Sequence, residues 1–139
     1  MSRRERKYSW ISIGACMLLV ACAAPPPLSQ KLTGDEIKAL LTGRTYECEG
    51  RYGTYAAYYP NAESVVVNFA GLDGGSVRVK GTLRYESDAV CITWSRPDWG
   101  KGCYGFYREG DAVRSIKQTE SARQDECVGK VVDGNPRRF

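Results

Sequence analysis

The residues best able to do chemistry in this sequence are its six cysteines, at positions 16, 22, 48, 91, 103 and 127. A thiol can serve as a nucleophile, a metal ligand, an acylation point or half of a disulfide, and its setting decides which. The 139 residues contain no histidine, so Ser-His and Cys-His catalysis and histidine-held metals are excluded. Cys48, Cys91, Cys103 and Cys127 form no C-x-x-C pair and are widely spaced, which argues against zinc. Asp35, Glu36, Glu47 and Glu49 form no recognisable catalytic pair and read as solvated or capping groups. Gly71-Leu72-Asp73-Gly74-Gly75 lacks the Lys-Ser/Thr of a phosphate loop and reads as a turn. The sequence therefore predicts a protein that is not an enzyme and holds neither cofactor nor metal.

Two of the cysteines belong to the N-terminal segment. Arg3, Arg4, Arg6 and Lys7 stand against one acid, Glu5. Residues 10–20 are apolar apart from Ser12 and Gly14, and small residues and a proline run follow. This is the order of a secretory signal peptide, and the apolar run is shorter than the ~20 residues of a bilayer span. The preceding charge holds the N-terminus in the cytoplasm. Leu19-Val20-Ala21-Cys22 resembles the lipobox of bacterial lipoproteins. The resemblance implies a diacylglycerol on the Cys22 thiol, cleavage before Cys22 and acylation of the new amino group. Two or three chains anchor stably where one does not. Ala23 stands where an inner-membrane lipoprotein tends to carry aspartate, which implies sorting to the outer membrane, facing the periplasm. The expected organisation is a signal peptide over 1–21, a lipidated proline-rich tether over 22–30 and a single β-rich domain over 31–139.

Removing residues 1–21 leaves 118 residues, enough for one domain. The net charge falls from +4 to +1, because the signal carries four bases and one acid. The only basic doublet left is Arg137-Arg138, so a nucleic-acid partner is not expected. Cys16 leaves with the signal and Cys22 is taken by lipid. Cys48, Cys91, Cys103 and Cys127 remain, an even number in an oxidising compartment, with three pairings open. A turn centred near Pro97 places Cys91 opposite Cys103, which favours that bridge and leaves Cys48 for Cys127.

The elements that must position these groups follow from pattern. Thr33 and Glu36 form a capping box, Leu32 and Ile37 a hydrophobic staple, and Ile37, Leu40 and Leu41 one apolar face ending at Gly43. This predicts one helix of about ten residues, too short to stand alone in water. From Arg44 onward the chain alternates. Val65, Val67 and Phe69 share one face, as do Val77 with Val79 and Leu83 with Tyr85. Val90, Ile92 and Trp94 share theirs with Tyr104 and Phe106. Turn signals fall near Pro60, Asp73, Asp88, Pro97 and Gly110. The fold class is mainly β: a small antiparallel meander, either a curved sheet or a barrel, with the helix plugging one end or covering one face. Residues 118–126 read as a loop before a last strand near 128–132.

Tyrosines 46, 52, 55, 58 and 59 cluster early, and Trp94, Trp99, Tyr104, Phe106 and Tyr107 cluster later. Most read as strand and core residues. Trp99 is the exception, because it sits in a loop, where a large apolar side chain needs a reason. Such a surface would suit a protein or glycan partner in the envelope.

Two further resemblances concern residues beyond the signal. Leu32-Thr33-Gly34-Asp35-Glu36-Ile37, residues 81–94 and Cys103-Tyr104-Gly105-Phe106-Tyr107 resemble a group of small proteobacterial exported domains. That likeness implies a fold and an exported location, and no activity. Tyr46-Glu47-Cys48, then Gly81, Tyr85-Glu86-Ser87 and Trp99-Gly100-Lys101-Gly102, resemble the membrane-bound inhibitors of c-type lysozyme. The spacings are longer here, Lys80 replaces the usual serine, and a cysteine pair intervenes. This second likeness implies a β-barrel tied end to end by a disulfide. It also implies partner-binding roles for Trp99, Lys101 and Tyr85, with Lys101 the cation that would enter an acidic cleft.

Overall fold

The helix signal is local, and it works as read. In the computed structural model, which describes residues 29–118 and 126–139, α1 spans Gly34–Leu41 with Thr33 as its N-cap. The Glu36 amide donates to the Thr33 hydroxyl at 3.2 Å, and the Thr33 amide donates to the Glu36 carboxylate at 2.7 Å. Gly43, at φ +76°, turns the chain out of the helix as only glycine does without strain.

The described residues form nine strands. They are β1 (Gln30–Lys31), β2 (Arg44–Gly50), β3 (Gly53–Tyr59), β4 (Ser64–Gly71), β5 (Ser76–Tyr85), β6 (Val90–Trp94), β7 (Lys101–Glu109), β8 (Ala112–Lys117) and β9 (Glu126–Asp133). Strands β2 to β9 pair antiparallel in sequence order, and β9 returns to pair with β2 from Arg44↔Asp133 to Gly50↔Cys127. The meander is therefore a closed eight-stranded barrel, which leaves none of those strands as a free edge. Strand β1 adds to β7 beyond the end of β6, so Gln30, the last residue of the expected tether, is part of the sheet.

The alternation points the apolar set inward. Val67 faces Val79 and Leu83 faces Ile92 across their strand pairs, and Val90 faces Tyr104. Tyr46, Tyr59, Val65, Val90 and Phe106 form the core with Ile37 and Leu41 of the helix. Among the described residues, all of that core lies between Leu32 and Val131, as do both disulfides. Gly81 leaves the space that Trp94 occupies; a Cβ there would come within 3.1 Å of the indole and 2.7 Å of Ile92.

Strand direction makes the two ends of the barrel different. Strands β2, β4, β6 and β8 begin at the end that α1 plugs, where Ile37 and Leu41 are fully buried. The β2–β3, β4–β5 and β6–β7 connections lie at the other end. The helix is seated by backbone: the Gly34 amide donates to the Ser87 carbonyl at 2.9 Å. A Cβ on Gly34 would overlap the Glu86 carbonyl oxygen. Gly34→Ala is therefore expected to push the helix off the β5–β6 turn and cost ~1–3 kcal/mol, the usual range for overpacking. A urea midpoint equal to that of the parent would contradict this seating.

The C-terminus closes over the outer wall. Thr45 is buried there, and its hydroxyl is satisfied by donating to the Gly134 carbonyl at 2.8 Å. Arg137 pairs with Glu47 at 3.0 Å, and the Phe139 ring stacks on Tyr58 at 6.2 Å between centroids.

Candidate functional site

The end opposite the helix opens into a cavity of about 380 Å³. Its walls are inward-facing positions of the alternating strands: Tyr46 from β2, Tyr55 from β3, Trp94 from β6, and Tyr104 and Phe106 from β7. The Cys48–Cys127 disulfide forms part of the wall. Arg51, Tyr52, Asp98, Lys117 and Glu126 stand around the cavity at its open end.

Trp99 finds its reason here. The Arg96 guanidinium donates twice to Asp98, both at 2.8 Å, and the Trp99 amide donates to the Arg96 carbonyl at 3.1 Å. This tight loop folds the indole down into the mouth. It meets Trp94 edge-on at 5.2 Å between centroids and Phe69 edge-on at 6.0 Å. Phe69 in turn lies 4.7 Å from Tyr55. These are favoured geometries for aromatic pairs, and they form a continuous run of rings along one side of the lumen.

The charges divide by sign. Asp98 is held by Arg96, whose guanidinium keeps that carboxyl below its ordinary range. Glu126 is held by Arg114 at 2.7 Å, and the same guanidinium grips Glu109 at 3.0 Å. Lys117 and Arg51 have no ion pair among the described residues. Lys117 shares the inward parity of Val113 and Ser115 and lies opposite Tyr104 in the β7–β8 register.

Below the mouth the barrel is sealed by phenols. The Tyr46 hydroxyl lies 2.8 Å from the Cys127 carbonyl oxygen and 3.0 Å from that of Val113. Burial pushes its pKa up to about 12, and burial raises that of Tyr59 still further. Burial disfavours the ionised phenol, so the folded state keeps these protons where the unfolded chain loses them. Stability linked to Tyr46 is therefore complete below about pH 10 and falls by ~2–3 kcal/mol as pH rises toward 12. Tyrosinate absorbance should show these phenols ionising only together with loss of the barrel's circular dichroism. Ionisation well before unfolding would contradict their burial.

The positions singled out from sequence separate. Cys91 and Cys103 face each other directly and are bridged on the outer wall. Cys48 and Cys127 are bridged across β2 and β9, Cα to Cα 5.5 Å. Trp99 lines the mouth. Lys101 has the opposite parity to Gly102 and Tyr104, so it faces solvent outside the wall. Tyr85 lies nearer the helix end, and its buried hydroxyl has no hydrogen-bond partner among the described residues. Trp99, Lys101 and Tyr85 thus do not form one surface. Cys22 lies outside the described residues. Lys117 was not singled out, although the alternation Val113, Ser115, Lys117 carried its signal.

A larger, shallower hollow of about 940 Å³ lies on the outer wall between Glu47, Thr54, Asn68, Arg78 and Lys130. Arg137 of the C-terminus already reaches into it, and Arg78 is engaged by Asn68 at 2.9 Å. Comparison with family models, curated proteins and solved structures finds no match for this chain, so its function is read from the geometry of the mouth.

Proposed function

We propose that this chain is a lipid-anchored, non-catalytic binding module of the cell envelope, held by Cys22 at the outer membrane and facing the periplasm. One observation carries the binding part: a barrel plugged at one end by α1 and open at the other into an aromatic cavity of about 380 Å³. Concave, largely apolar sites with a few polar groups are where small molecules bind. Two disulfides suit an oxidising compartment. The rim carboxylate of Asp98 is occupied by Arg96 and that of Glu126 is turned outward to Arg114, which suits binding better than proton transfer.

The anchor is tested by Cys22→Ser, which should leave the protein unprocessed by lipidation and no longer partitioned with membranes. Unchanged partitioning would sink the anchor. The binding reading is tested by native mass spectrometry of protein extracted gently from envelopes. A stoichiometric small-molecule adduct that Trp99→Ala loses is expected; bare protein in every preparation counts against the reading.

A second reading, inhibition of c-type lysozyme, is favoured by one observation. Lys101 is exposed beside the β6–β7 turn, without an ion pair among the described residues, as a cation offered to an acidic cleft must be. Lysozyme activity unaffected by micromolar protein would end it. Inhibition weakened by Lys101→Ala would support it.

A further inference from the structure

We propose that the mouth selects a small organic anion with a flat apolar body, the body lying among Trp94, Trp99 and Tyr55 and the anionic group meeting Lys117. The inference rests on the reading of the mouth as a binding site and adds the ligand's class.

Size sets the first limit. About 380 Å³ is near the low end of the ~300–1,000 Å³ typical of small-molecule sites. A two-chain lipid is too large for it. The walls set the second. Trp99 already packs edge-on against both Trp94 and Phe69, at 82° and 79°. A flat ring entering beside them continues the same edge-to-face pattern, which a flexible chain does not.

Charge sets the third. Of the acids at the rim, Asp98 is neutralised by Arg96, and Glu126, one residue out of phase with the inward Cys127, turns outward to Arg114. The mouth's two cations, Lys117 and Arg51, are not neutralised among the described residues. Arg51 lies over the Tyr52 ring at 5.6 Å. Lys117 points inward, and the bare Gly102 accommodates it: a Cβ there would meet the Lys117 Cε at 3.0 Å and the Tyr104 hydroxyl at 3.1 Å. The lysine stem thus lies along the cavity wall, next to a phenol. A ligand that covers Lys117 must supply its counter-charge or leave it desolvated and unpaired. A charge-assisted bond to an anion meets that requirement.

The test uses the full chain with both disulfides intact and two probes of similar shape. One is 8-anilinonaphthalene-1-sulfonate, an anion; the other is N-phenyl-1-naphthylamine, which is neutral. Saturable binding of the anion at one site per chain is expected, with quenching of tryptophan emission. Lys117→Gln should weaken the anion about tenfold, equivalent to ~1.4 kcal/mol, and leave the neutral probe within about twofold. Arg51→Gln, at an exposed rim position, should act in the same direction and serves as the second variant. Trp99→Ala should weaken both probes. Anion affinity unchanged in both charge variants would overturn the proposal. Saturable binding of the neutral probe alone would overturn it while leaving the mouth as a binding site. Binding of neither probe would remove both readings.

Discussion

The double variant Cys48→Ala/Cys127→Ala is expected to lose about 4.5 kcal/mol of stability, and Cys91→Ala/Cys103→Ala about 3 kcal/mol. The difference comes from loop size. The first bridge joins residues 79 apart in sequence and the second residues 12 apart, so the first removes more freedom from the unfolded chain. Position adds to it. Cys48 is 8% exposed and packs in the core, whereas Cys91 and Cys103 lie half-buried on the outer wall. The first bridge also spans β2 and β9, the pairing that makes the sheet a barrel. At that seam the strands approach closely, since a Cβ on Gly129 would overlap the Glu47 carbonyl oxygen. Urea denaturation of both double variants checks the order. A larger loss from the Cys91–Cys103 pair would show that the seam holds without its covalent tie.

What could be read from the sequence was whatever depends on near neighbours. The capping box and Gly43 lie within a dozen residues, and each occupies its expected place. Strand faces were legible because side chains alternate with a period of two. The Cys91–Cys103 bridge was legible because a hairpin turn fixes which residues oppose. Barrel closure was not, since pairing of β2 with β9 joins segments about eighty residues apart. Nor was the need for glycine at position 34, which arises from the Glu86 carbonyl, far along the chain. The site was half legible. Trp99 stood out as an apolar residue in a loop, but its purpose needs Trp94 and Phe69 beside it. Motif order grouped Trp99, Lys101 and Tyr85, and order along a chain does not tell inside from outside. A parity count does: Lys101 falls on the outer face, Lys117 on the inner.

Leu41→Ala is expected to cost ~3–4 kcal/mol, by loss of transfer energy and by the cavity left behind. Leu41 and Ile37 are both fully buried and enter the same cluster as Tyr46, Tyr59 and Val65. Leu40 sits at the edge of that contact and is only partly buried, so Leu40→Ala should cost less than half as much. The consequence of the larger loss is local before it is global. An eight-residue helix has no stability of its own, so weakening its seat favours undocking together with melting. The barrel strands remain tied by two disulfides and a closed ladder. Hydrogen exchange in Leu41→Ala should therefore accelerate in residues 34–41 more than in β3 to β5. Undocking would also admit water to Tyr46 and Tyr59 from below, so the alkaline loss of stability should begin at lower pH in this variant. Uniform acceleration across helix and strands would instead mean that plug and barrel unfold as one unit, and that the closed end depends on the helix as strongly as the helix depends on it.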